Sequence, residues 1–422
     1  MSQPPSTQLN TPENSVRVPA PVNAHSHAFH RILRGRTHEG ADGAAGDFWT
    51  WREHMYAAAA SLTPAAYQQL ATAVFAEMAV AGYSAVGEFH YLHHQPGGQP
   101  YGSAGHGEPH AMELALGRAA LAVGIRLVLL DTCYLHGGLT LQGEVLALDD
   151  TQQRFSDRSV EGWLLRHESL ATALGELDAG AGLLSLGAAV HSVRAVTPSD
   201  LAIIAARLDP GLPLHVHLSE QPAENHACAA AYGTSPTGLL EQAGLLGARL
   251  SAVHATHLEE TDIRALGAAR AGIVMCPTTE ADLGDGIGPA RELADAGAHL
   301  SLGSDQHAVL DPYLEQRALE HAERLRSGKR GRFSPTEIST AARAGGLRSL
   351  GLAENDDFLV VRTDSVRTAG SRPAQLPLAA TAADISEVHI NGELVASHGI
   401  HTRLGDPAAL YAAFFNNNPE FS

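Results

Sequence analysis

Along this chain, apolar runs of seven to ten residues alternate with longer stretches in which alanine and leucine recur at helical spacing. Eight of the short runs read as strands: PVNAHSH (21–27), SAVGEFHY (84–91), RLVLLDTCY (126–134), LLSLGAAVHS (183–192), PLHVHLSE (213–220), LSAVHATH (250–257), GIVMCPTTE (272–280) and HLSLGSDQH (299–307). Helical patterns separate them. TPAAYQQLATAVFAEMAVAG (63–82) has Thr63 as N-cap, Pro64 at the first helical position and Gly82 as its stop. PHAMELALGRAALAVG (109–124) and EETDIRALGAARAG (259–272) follow the same pattern. Eight strands and their helices within about 290 residues predict an α/β fold, a (β/α)8 TIM-like barrel. A doubly wound open sheet would usually carry a Gly-rich phosphate turn after its first strand, and NAHSH is not one.

The texture changes at both ends. Residues 1–20 begin MSQPPSTQLNTPENS, polar and Pro-rich, and read as a disordered or extended segment ahead of a barrel over 21–355. FLVVRTDSV (358–366) and ISEVHINGELVASHG (385–399), the second with a turn at Asn391-Gly392, predict a small β appendage over 356–400. The tail 401–422 reads as a short helix that then frays.

Composition narrows the possible partners. With 28 Lys+Arg against 46 Asp+Glu, a net charge of -18 argues against non-specific binding to nucleic acid or to an anionic membrane surface. No run approaches the roughly 18 apolar residues of a membrane span. Cys133, Cys228 and Cys276 are scattered and lack C-x-x-C spacing, the pattern of a reduced, cytoplasmic protein.

Polar, reactive residues collect where the predicted strands end: HSH, EFHYLHH, HLSE, HATH and GSDQH. Barrel enzymes build their sites at that end. Residues i and i+2 of a strand share a face, so His25 and His27 aim at one point. In a chain with 24 histidines an isolated H-x-H is weak, and solvated or core histidines are the default reading. His217, His254 and Asp305 at later strand ends change it. His25, His27, His217 and Asp305 form an open catalytic ligand set for zinc or iron, with a position left for water. Glu220, three residues after His217, can shuttle a proton, Asp305 can serve as base, and His254 can stabilise charge on an adduct. The bland readings are a solvated loop acid for Glu220 and, in HATH, His257 in place of His254.

H-x-H, then His, His and Asp in this order resembles the amidohydrolase superfamily. Within it, NAHSHAFHR, FWTWREHMY, GEFHYLHH, VHSVRAVTP, HVHLSEQ, VHATH, TTEADLGDGI and LGSDQH are similar to the family of N-formimino-L-glutamate deiminases of histidine degradation, from about residue 21 to 400. The resemblance implies hydrolytic deimination of a small anionic dicarboxylate, with Glu220, His254 and Asp305 in the roles above. It implies that Arg52, Tyr91, His191 and Arg194 hold the substrate's carboxylates, and that the enzyme is a homodimer. Arg52 falls in the long segment after the first strand, read as a Trp-anchored loop, where it could equally form a surface salt bridge. His191 and Arg194 could equally cap a turn.

Binuclear relatives use a carboxylated lysine from a middle strand. The only lysine here, Lys329, lies beyond the eighth strand, so one divalent metal is expected, Zn2+ first and Fe2+ as an alternative, with Glu88 a minor candidate for a bridge. His30 stands where the family pattern has Gln. Relatives carry several strands before the H-x-H that pair with C-terminal strands. Only about 20 residues precede it here, so a reduced β-sandwich built mainly from the C-terminal segment is expected. The His-rich stretch 90–110 reads as a mobile flap. Two other readings stay open: a related deaminase acting on a cyclic amidine or nucleobase, and a catalytically inactive, metabolite-binding barrel.

Overall fold

The computed structural model describes residues 13–38, 48–103 and 107–421. After a first strand, β1 (Ser15–Pro19), eight parallel strands follow: β2 (Val22–Ser26), β3 (Ala85–His90), β4 (Arg126–Cys133), β5 (Leu184–Val190), β6 (Leu214–Leu218), β7 (Leu250–His254), β8 (Gly272–Met275) and β9 (His299–Leu302). Each pairs with the next in chain order. The ring closes where Ser26 bridges Asp305. There, His25 O accepts from Asp305 N at 3.0 Å and His27 N donates to Asp305 O at 3.1 Å. Gly303 makes this seam possible, since a Cβ on it would sit 2.7 Å from His25 Cβ. The predicted (β/α)8 barrel is therefore present, and its closing seam lies beside the first histidine pair.

The strands are shorter than their apolar runs. GIVMCPTTE divides into β8 and a helix, Pro277–Leu283, that begins at the proline. The stretch after β2 read as a loop is instead helix α1 (Phe48–Ser61). Its run Ala57–Ala60 favours helix, and Arg52 and Tyr56 meet at i,i+4 spacing, Arg52 Nη2 donating to Tyr56 Oη at 2.6 Å. Helix α2 (Pro64–Ala81) has the predicted ends: Thr63 accepts from Ala66 N, and Gly82 closes it at φ 109°. A Cβ on Gly82 would meet Ile385 Cδ1 at 2.6 Å, so the same glycine lets the appendage pack against this helix.

The appendage is a five-stranded antiparallel sheet ordered β1, β10 (Phe358–Arg362), β11 (Ile385–Ile390), β12 (Glu393–Ser397) and β13 (Ile400–His401). Part of the N-terminal segment read as disordered or extended is thus a paired strand. Ser15 to Pro19 run opposite Arg362 to Phe358, with Val16 and Val18 packed on the core and Arg17 exposed. The rest of that reading, residues 1–12, lies outside the described residues. In the C-terminal tail the helix Pro407–Asn417 packs on α2, Tyr411 Oη donating to Glu77 Oε2 at 2.5 Å. Among the described residues no helix is long and apolar enough to cross a membrane, and all three cysteines are free and buried.

The His-rich stretch is not a loose flap at its start, since His90, His93 and His94 are buried. Residues 104–106 lie outside the described residues. His90 and His93 enter an ionic cluster behind the barrel wall, built with helices α3 (Ala111–Val123) and α4 (Val160–Asp178). Arg166 Nη1 lies 3.1 Å from Glu113 and 2.8 Å from Asp131, and Arg166 Nε 2.9 Å from Asp157. His90, His93 and Glu113 bring ligand-type atoms within 4.8 Å of one another, but a guanidinium already sits against these carboxylates. Burial alone would raise the three carboxyls, yet Arg166 and the adjacent histidines outweigh it and hold all three low. A depressed native pKa gives stability that is complete above the ordinary carboxyl range near pH 4 and is lost as pH falls through the native values. Arg166→Met strands three buried carboxylates and should destabilise the fold by about 3–5 kcal/mol at neutral pH. Urea unfolding of the two proteins at pH 7 measures it; equal midpoints would mean that the histidines alone balance the cluster.

Candidate active site

The histidines at the end of β2, His25 and His27, reach the barrel mouth on one face, and β6, β7 and the turn after β9 bring the rest to meet them. His25 Nε2 lies 3.2 Å from His217 Nε2 and 3.3 Å from Asp305 Oδ1. His27 Nε2 lies 3.4 Å from His217 Nε2 and 3.5 Å from Asp305 Oδ1. All four side chains are buried.

Hydrogen bonds on the far side of the rings fix their tautomers. Phe89 O faces His27 Nδ1 at 2.8 Å and His191 O faces His217 Nδ1 at 3.1 Å. A carbonyl only accepts, so both Nδ1 atoms carry hydrogen. Burial pushes both imidazoles well below their ordinary pKa and keeps them neutral. Their bare Nε2 lone pairs therefore converge on one point beside an ionised carboxylate. That arrangement is repulsive unless a cation sits among them, and histidine Nε2 with Nδ1–H on a backbone carbonyl is a usual metal-ligand arrangement. The donor set fits a divalent metal.

His254 completes the wall. Its Nε2 is 3.7 Å from Glu220 Oε1 and 4.0 Å from Asp305 Oδ2, and its Nδ1 is 3.7 Å from Glu280 Oε1. Burial opposes charge on this imidazole, but Glu220, Glu280 and Asp305 outweigh it and hold its pKa up at about 10. The competing His257 points elsewhere, to Asp285 O at 2.8 Å. Ser219, His254, Ala255 and Asp305 all adopt positive φ, from 43° to 69°. Non-glycine residues hold such angles at a cost, and here they cluster where the reactive side chains are aimed.

A cavity of about 680 Å3 opens over this cluster. Arg52, Tyr91, His191 and Arg194 all line it, together with His27, His217, Glu220, His254 and Asp305. Arg194 Nη2 stands 4.0 Å from Glu220 Oε2 and its Nε 3.7 Å from the buried Glu224. Burial, then Arg194 and Arg52, push His191 well below its ordinary pKa. His30 lines the cavity too, its Nε2 3.1 Å from Tyr91 Oη, and burial lowers it to about 3, so it stands there as a neutral ring.

Glu88 does not join the site. It points out of the barrel, accepting from Ser26 Oγ at 2.5 Å and from Ala28 N at 2.5 Å, and burial raises it to about 8. The minor option of a Glu88 metal bridge is excluded. Sequence reading passed over Tyr56, Tyr134, Gln152 and Glu224, which also line or back the cavity. Tyr134 had a signal, since it ends its strand run as Tyr91 does.

The sequence pattern of the Amidohydrolase family matches residues 16–355. A formimidoylglutamate deiminase of Pseudomonas aeruginosa is 38% identical over 341 residues, 79% of this chain and 72% of that protein. An 8-oxoguanine deaminase of the same organism is 29% identical over 400 residues, 91% of this chain and 82% of that protein. Among solved structures, an amidohydrolase from Brucella melitensis superposes with a TM-score of 0.84 at 30% identity, covering 96% of this chain and 90% of that one. The match runs over the whole barrel and takes in every member of the buried ligand cluster, and the chain belongs to the amidohydrolase family.

Proposed function

We propose that this protein hydrolyses N-formimino-L-glutamate to N-formyl-L-glutamate and ammonia. The observation that carries this reading is one cavity lined by His27, His217 and Asp305 of the three-histidine, one-aspartate cluster and by two arginines, Arg52 and Arg194. An uncharged cyclic amidine would not need those guanidiniums; a dicarboxylate would. The identity with the P. aeruginosa deiminase supports the same substrate.

His25, His27, His217 and Asp305 would hold one divalent ion, for which nitrogen and carboxylate donors suit Zn2+ first and Fe2+ next. When bound, such an ion supplies a water acidic enough to ionise near neutral pH and a positive charge facing the reacting carbon. The chain's own residues do the rest. Asp305 turns Oδ1 to His25 and His27 and Oδ2 toward His254, so it would both help to hold the ion and act as the proton-accepting base. Glu220, beside His254, gives a proton to the imino nitrogen, which leaves as ammonia when its bond to carbon breaks. His254, beside Glu220 and Asp305, would stabilise the charge that develops on the reacting group. Arg52, Tyr91, His191 and Arg194 hold the two carboxylates. We also place the enzyme in the cytoplasm, on its scattered, unpaired cysteines, and as a homodimer, on the family resemblance alone.

Ammonia release from N-formimino-L-glutamate by zinc-loaded protein tests the reading. Arg194→Ala should raise KM by roughly 10- to 100-fold, the effect of losing a charged hydrogen-bonding partner. An unchanged KM, with turnover of uncharged cyclic amidines, would move the assignment to the nucleobase-type deaminases.

A further inference from the structure

Gln152 opens a short turn, Gln152–Phe155, and its side chain is buried behind the cavity wall. Its orientation is fixed. Gln152 Oε1 accepts from Asp149 N at 2.9 Å, while Asp149 Oδ1 accepts from Gln152 N at 2.8 Å. A backbone N–H can only donate, so the amide oxygen faces Asp149 and the NH2 faces the cavity. That nitrogen reaches Tyr56 Oη at 2.9 Å, Tyr134 Oη at 3.0 Å and Gly137 O at 3.2 Å.

Counting hydrogens gives the consequence. Tyr56 Oη also faces Arg52 Nη2 at 2.6 Å and Arg52 Nε at 3.1 Å. The two Arg52 donors fill the acceptor positions of Tyr56, which must send its own O–H elsewhere, and the hydroxyl it hydrogen-bonds is that of Tyr134. Gly137 O can only accept and takes one of the two amide hydrogens, and an NH2 cannot accept from a phenol, so Tyr134 receives from Gln152 and Tyr56 and keeps its own O–H free to donate into the cavity. Both tyrosines line the cavity beside Arg52, His191 and Arg194. We infer that Gln152 is a positioning residue that, with Tyr56, turns the hydroxyl of Tyr134 into a donor for a substrate carboxylate held at Arg52. The inference deepens the proposed function and rests on it for the identity of the substrate. The anion site itself can be tested without turnover.

Three variants, Tyr134→Phe, Gln152→Ala and Gln152→Glu, are measured two ways. With N-formimino-L-glutamate, Tyr134→Phe and Gln152→Ala should each raise KM by about tenfold, the effect of one hydrogen bond to a charged group, with kcat kept within about twofold. The double variant Tyr134→Phe/Gln152→Ala should add little, because the two act through one contact. Gln152→Glu keeps the size and the bond from Asp149 N, yet gives both tyrosines an acceptor behind the wall, so its KM should rise more than that of Gln152→Ala. Calorimetric binding of glutarate to zinc-loaded protein should weaken in the same order. If the wild type released no ammonia but bound glutarate with this dependence, the substrate assignment would fail and the positioning role would stand. Wild-type KM and glutarate affinity in all three variants would overturn the inference. So would a loss of melting temperature and kcat at unchanged KM, which marks a purely structural residue.

Discussion

Glu220→Gln should lower kcat for N-formimino-L-glutamate by about 100- to 10,000-fold, the range that a positioned acid or base supplies. Glutamine keeps the volume and can still face His254, 3.7 Å away, and Arg194, 4.0 Å away, but it cannot deliver a proton to the leaving nitrogen. Metal content by elemental analysis should not change, because Glu220 is not among the four proposed ligands. KM should stay within about twofold, since the interaction lost is one made in the transition state. A fall of only a few-fold would assign the proton to another group, with His254 the nearest candidate. Loss of the metal would make Glu220 a ligand and force a different mechanism.

His25→Ala should leave almost no bound metal after dialysis and abolish turnover. The variant removes the nitrogen within reach of both His217 Nε2 and Asp305 Oδ1. It should also abolish the response of thermal stability to added zinc. A ligand at 1,000 times its dissociation constant stabilises a fold by about 4 kcal/mol, on the order of 5 °C in Tm for a chain of this size. Wild-type protein stripped with chelator should melt with the variant and recover on zinc addition; the variant should not recover. A His25→Ala protein that kept one equivalent of zinc would sink the ligand assignment.

Much of this site is legible in the sequence because its chemistry sits at strand ends. His25 and His27 share a face by the two-residue period of a strand, and His217, His254 and Asp305 each close an apolar run. Helix α2 was equally legible, because Thr63, Pro64 and Gly82 carry its boundaries in their own chemistry. Other features depend on residues far apart in sequence. Gln152 comes from a turn between β4 and α4, and nothing local shows that it will meet Tyr56 and Tyr134. Helix α1 was misread because its aromatic start, Phe-Trp-Thr-Trp, outweighed the alanines that follow. Strand β1 has the right alternation in Val16, Arg17 and Val18, but its five residues end in a proline and its partner lies at 358–362. Glu88 could have been placed outside from parity alone: Ser26, between the two inward histidines, faces outward and meets it.

The seam between β2 and the turn after β9 sets a timetable for the newborn chain. His25 and His27 leave the ribosome long before Asp305 does. At about 5–20 residues per second the interval is roughly 15–55 s. Through that time β2 has an open edge where Asp305 will later bridge Ser26, and the two imidazoles lack their carboxylate. The strand that covers β1 is made later still, at Phe358–Arg362. The proposed ligand cluster can thus assemble only once residue 305 has emerged, and the pace of the ribosome decides how long the nascent protein waits with that edge of β2 bare.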